Sequence, residues 1–158
     1  MIYLVGVDHR IQHEGYLDSR KKVALRKFRA YLKNIVCERG IRVIAEEFNE
    51  DVLSRNHTEV SSARKVAQAL GIEHRFCDPT RQERKVRKIM TDRQREREWL
   101  NRLQEFSQRN VLFLCGSLHL QTFQKLLRKR GFEVGILSDK WGYDYRGRGF
   151  VEYFDVDG

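Results

Sequence analysis

Residues 111–119 read VLFLCGSLH, five apolar residues, then a glycine, then a histidine three positions after it. An apolar run this short, bounded by a turn-forming glycine, suits a buried strand better than a helix. The chain opens in the same way. Residues 1–9 read MIYLVGVDH, again an apolar run closed by Gly-x-x-His. Two buried strands with the same polar ending point to one sheet whose strands all deliver chemistry to one edge.

Residues 16–39 carry a helical stripe of Ala24, Phe28, Tyr31, Leu32, Ile35 and Val36, with Gly40 placed to stop it. Residues 41–45 (IRVIA) form the next strand. Residues 49–55 stay undecided between helix and loop. Val60, Ala63, Ala67 and Leu70 mark a helix over 59–70, closed by Gly71, and a third strand follows over 72–77. Thr80 and Glu83 fit a capping box, which opens a long charged helix to about residue 109 with a break near Thr91 and Asp92. After the 111–115 strand come a helix over 120–130 and strands over 132–137 and 150–156. A glycine- and aromatic-rich loop over 142–149 lies between those last strands. The alternation predicts a single α/β domain over 1–158, with a mostly parallel central sheet flanked by helices.

Composition agrees. The 158 residues are 41% hydrophobic, which suits one globular domain with a real core. Three scattered cysteines exclude a disulfide scaffold, and the single proline excludes a proline-rich linker. No apolar run approaches the roughly 18 residues of a membrane span. The first residues lack the basic flank of a signal peptide. The chain reads as soluble and cytoplasmic, with no membrane partner. The 31 Lys and Arg against 22 Asp and Glu give a net charge of +9. Ten of those basic residues fall between 81 and 109, against five acidic ones. Read structurally, the tract is a solvated helix face. Read functionally, it binds nucleic acid or another anionic partner.

In a parallel sheet, ligands bind outside the carboxyl ends of the strands. The residues there are Asp8, His9 and His13 after the first strand, Glu46 and Glu47 after the second, Asp78 and Arg81 after the third, and Gly116, Ser117 and His119 after the fourth. Two histidines, several carboxylates and an arginine suit either a divalent metal or general acid–base chemistry. Consecutive Glu46 and Glu47 point to opposite faces if the strand continues, so one of them reaches the crevice directly. Asp8 reads as a turn residue and His13 as structural. Ser117 lacks a nucleophile-elbow context, and the three cysteines read as packed or inert thiols.

The order GVDH (6–9), EE (46–47), GSLH (116–119) resembles the superfamily of TraB/PrgY, TIKI, ChaN and the erythromycin esterases. Asp78-Pro-Thr-Arg81 is a looser match to a further motif of that group. The resemblance covers about residues 1–137 and implies an erythromycin esterase/ChaN-like fold and a hydrolase-like site. His9 and His119 would be metal ligands or bases. Glu46 and Glu47 would supply a ligand and a proton acceptor, and Asp78 and Arg81 would meet the substrate. The implied metal set is His9, Glu46 and His119, holding Mn, Zn or Co. The substrate would be a small molecule or a peptide. Three other readings stay open: a metal-independent esterase, a phosphoesterase or nuclease, and a non-catalytic module that binds through 81–109.

Overall fold

The computed structural model describes residues 1–143. Its strands are β1 (Ile2–Val7), β2 (Val43–Glu46), β3 (Glu73–Phe76), β4 (Val111–Gly116) and β5 (Val134–Trp141). They form one sheet in the order β3-β2-β4-β1-β5, with every neighbouring pair parallel. The helices are α1 (Ser19–Arg39), α2 (Glu50–Arg55), α3 (Ser62–Leu70), α4 (Arg81–Arg87), α5 (Asp92–Leu103) and α6 (Leu120–Lys129). The expected α/β fold is present.

The two-residue period of the strands sorts the core into two layers. Tyr3, Val5 and Val7 of β1, Ile44 of β2, and Leu112 and Leu114 of β4 pack with α1 and α3. Ile2 and Leu4, Val43 and Ala45, and Val111, Phe113 and Cys115 pack with α5 and α6. Trp99 anchors the second layer, with its ring 5.7 Å from Phe113 and 5.3 Å from Phe123. It is fully buried, and burying a side chain of this class stabilises the fold by about 1.5–3 kcal/mol or more.

Local chemistry moves several element ends. The first long helix starts at Ser19 rather than near residue 16. Tyr16 has φ +53°, outside the helical region, and Asp18 caps the helix by accepting from the Lys21 N–H at 2.7 Å. Ser61 caps α3, which moves that start from 59 to 62. The charged tract makes two helices. Lys88 takes a left-handed conformation that ends α4, and a second capping box, Thr91 with Gln94, starts α5. The undecided stretch 49–55 becomes the short helix α2, capped by Asn49. The strand expected over 150–156 and residues 144–149 of the glycine-rich loop lie outside the described residues.

Gly6 and Gly116 are where the sheet is tightest. Both have ordinary negative or extended backbone angles, so the constraint is space rather than φ. A Cβ on Gly6 would lie 2.2 Å from the Asp139 carbonyl oxygen of β5. We therefore expect Gly6→Ala to push β5 away and to destabilise the protein by about 1–3 kcal/mol. A urea unfolding midpoint lowered at unchanged slope would report it, whereas an unchanged midpoint would show that β5 does not pack this closely.

Candidate functional site

Three neighbouring strands, β2, β4 and β1, end side by side, and each is followed by a residue of one cluster. Glu47 follows β2. His119 ends a 3₁₀ turn after β4, and His9 opens another after β1. The pleat decides what each glutamate does. Glu46 continues the face of Ile44 toward α1 and α3, and Glu47 continues the face of Ala45 toward α5. The divergence expected from the sequence is therefore present, and Glu47 is the residue in the cluster.

Glu47 is a buried carboxylate with both oxygens occupied. Oε1 accepts from Arg95 Nη2 at 2.7 Å, and Oε2 accepts from the Gly116 N–H at 2.8 Å. The two histidines turn the same atom toward it: His9 Nε2 lies 3.8 Å from Oε2, and His119 Nε2 lies 3.5 Å from Oε1. Gly116 makes this approach possible, because a Cβ there would sit 2.7 Å from His9 Nε2.

Each imidazole is anchored through its other nitrogen. His9 Nδ1 lies 2.7 Å from Gln12 Oε1, and Gln12 Nε2 donates to Glu46 Oε2 at 3.0 Å. Because the Gln12 amide nitrogen faces a carboxylate, its oxygen faces His9, and His9 Nδ1 carries the proton. In the neutral ring, Nε2 is then the atom with the lone pair. Glu46 is fully buried and also accepts from Ser61 Oγ and lies 2.7 Å from His74 Nε2. It acts on His9 through Gln12 only. Glu46 is on the opposite face of the sheet from His119.

His119 Nδ1 lies 3.0 Å from Glu96 Oε1, which also accepts from Thr122 Oγ1. Burial works against the His119 cation, but the Glu96 hydrogen bond and the charge of Glu47 outweigh it and raise the pKa above its usual 6.5. The ring packs edge-on against Trp99 at 5.1 Å.

Asp78 lines the same cavity, but its acceptors are taken. It receives Arg84, Arg95 Nε at 2.9 Å, Trp99 Nε1 at 2.9 Å and Asn49 Nδ2 at 3.2 Å. Those contacts tie Arg95 and α4 to the end of β3. Arg81 is exposed on the cavity wall. The cavity, about 480 Å³, brings His9, His13, Glu47, Asp78, Arg81 and Arg95 to one surface, a size typical of small-molecule sites. Arg95, Glu96, Trp99 and Gln12 were not singled out from the sequence.

Two imidazole nitrogens and a carboxylate are, in kind, a donor set for a divalent metal. Arg95 already supplies the positive charge at Glu47, and among the described residues no three His, Cys, Asp or Glu side chains are grouped to hold an ion. The buried thiols fit packing: burial raises Cys77 to about 12 and raises Cys115 well above its ordinary value. No protein-family model, curated protein or solved structure matches the chain. The family resemblance therefore stands on its short motifs and their placement. Among the described residues, no helix is long and apolar enough to cross a membrane.

His13 pairs with Ser61 in an isolated antiparallel bridge. It is buried, and its Nδ1 accepts the Gly15 N–H at 3.1 Å. Burial, with the charges of Lys21, His9 and Arg10, lowers its pKa from 6.5 to about 3. The folded state therefore refuses a proton that the unfolded chain accepts below pH 6.5. Stability is fully present above that pH and falls as pH drops toward 3, by up to about 1.4 kcal/mol per pH unit. Asp8, raised from 3.8 to about 6 by burial, acts in the opposite sense over 6 to 3.8. His13→Asn keeps an acceptor for Gly15, so comparing it with the parent cancels the Asp8 contribution. Urea unfolding at pH 7 and about pH 5 is expected to show the parent losing about 2 kcal/mol more than the variant. Equal losses would show that His13 titrates normally in the fold.

Proposed function

We propose that this protein is a hydrolase in which His9 activates water in the cavity at the strand ends. The observation that carries this reading is the Glu46–Gln12–His9 relay, which holds a lone pair at Nε2 on the cavity surface. A base needs that atom accessible and that tautomer fixed. When His9 takes the proton of water, Glu47 at 3.8 Å stabilises the imidazolium that forms. His119, whose raised pKa favours the protonated form, is the acid for the leaving group. Arg95 holds Glu47 in place, and Asp78 holds Arg95 in place. Gln12 is a positioning residue.

A divalent metal on His9 and His119 is a second reading, favoured by the convergence of both Nε2 atoms on one carboxylate. It requires Arg95 to release Glu47.

A panel of esters, phosphoesters and peptides tests the proposal. Against whichever substrate turns over, His9→Gln is expected to lower kcat by roughly a hundredfold to ten-thousandfold. Gln12→Leu is expected to lower kcat by about 10–100-fold with KM little changed. Activity is expected to survive a chelator. Loss of activity on chelation, restored by Mn, Zn or Co, selects the metal reading. A His9→Gln variant as active as the parent would overturn both.

A further inference from the structure

The cavity wall holds more arginine than its carboxylates can use. Arg55, Arg81, Arg84 and Arg95 line it, against Glu47, Asp51 and Asp78. Arg95 is held by Glu47 and Asp78, and Arg84 by Asp78. Asp51 accepts the backbone N–H of Arg81 at 2.7 Å, not its side chain. The guanidinium groups of Arg55 and Arg81 therefore have no carboxylate partner among the described residues, and both residues are exposed in the cavity that His9 lines. Two unpaired planar forks match a phosphoryl group in charge and in hydrogen-bonding geometry.

A second feature lies close to Arg55 in the chain, outside the residues that line the cavity. Tyr16 and His57 come from the loops after β1 and after α2, and their rings meet edge-on at 6.4 Å. Both have left-handed backbone angles, φ +53° and +52°, which favour glycine. Tyr16 is 76% exposed, and His57 is exposed as well. The two loops are packed together, since a Cβ on Gly15 would lie 2.3 Å from the Asn56 carbonyl oxygen. Strained backbone that presents exposed rings two residues from Arg55 is a feature of ligand clamps, and such rings stack on nucleobases.

We infer that the cavity takes a phosphate-bearing substrate of the nucleotide class, with its phosphoryl group on Arg55 and Arg81 and its base on Tyr16 and His57. This rests on the hydrolytic reading of the same site and names its substrate. Hydrolysis there bonds the water oxygen to phosphorus and breaks the P–O ester bond. His9 takes the proton of water, and His119 supplies a proton to the departing oxygen. The nucleotide is either free or part of a strand. Lys85, one helical turn from Arg81 on α4, and Lys88 at the helix end are exposed and extend the positive surface away from the cavity.

Calorimetric titration at low salt separates these cases, using inorganic phosphate, adenosine 5′-monophosphate and a short single-stranded oligonucleotide. Saturable binding is expected, with the monophosphate preferred over phosphate, and weakened about tenfold by either Arg55→Ala or Arg81→Ala. Because both residues are exposed, unchanged unfolding midpoints are expected to show that the variants fold. If the oligonucleotide binds tighter and Lys85→Ala with Lys88→Ala weakens it, the source is a strand. If those lysines have no effect, the source is a free nucleotide. No saturable binding of any of the three overturns the inference, as does affinity unchanged in the doubly substituted Arg55→Ala/Arg81→Ala protein or no preference for the monophosphate over phosphate. Binding is read without turnover and is repeated in His9→Gln, so failure of the hydrolytic mechanism and failure of phosphate recognition are distinguishable.

Discussion

A carboxylate buried beneath three strand ends has to be neutralised, and Arg95 does this for Glu47. The pair is 2.7 Å apart with little exposure on either side. Removing one partner of such a pair leaves the other charged in a low-dielectric site, at a cost of about 3–5 kcal/mol. Much of the site is built around this requirement. Asp78 balances the rest of the Arg95 charge, and Trp99 packs beneath its guanidinium at 5.4 Å and donates to Asp78. Gly116 stays bare so that its N–H and His9 can both reach the same carboxylate. The histidines are placed by what they approach as well as by the turns that carry them.

The sheet pleat provides the second constraint. Adjacent Glu46 and Glu47 serve one histidine from opposite faces, Glu47 by direct charge and Glu46 through Gln12. One fixes the electrostatics of His9 and the other fixes its tautomer. A pair of glutamates at the end of a buried strand can therefore act on a single ring without both entering the cavity. By the same logic, residues adjacent in the chain are separated by the thickness of the sheet.

Much of the fold was legible because strand burial and helix caps are local signals. The apolar runs 1–7 and 111–115, the stops at Gly40 and Gly71 and the Thr80 capping box all rest on a few neighbouring residues. His9, Glu47, His119 and Arg81 were legible as a cluster because parallel strands end on one edge. The contribution of α5 was not. Its sequence, DRQREREWLNRL, reads as a solvated charged face, yet Glu96 and Glu98 are buried and Arg95 is largely so. Burial of those charges depends on partners up to 48 residues away, Glu47, Asp78 and His119 among them, and no local pattern encodes them. Gln12 was missed for a different reason: an amide three residues after a histidine has no meaning until Glu46 orients it.

In the proposed mechanism the neutral His9 ring presents an unprotonated Nε2 because Gln12 holds the proton on Nδ1. Long-range nitrogen–proton NMR correlation of the histidine rings at neutral pH tests it directly. The neutral His9 ring is expected to be the Nδ1–H tautomer, with an Nε2 shift characteristic of a free lone pair. A His9 ring protonated on Nε2, or exchanging rapidly between the two tautomers, would contradict it.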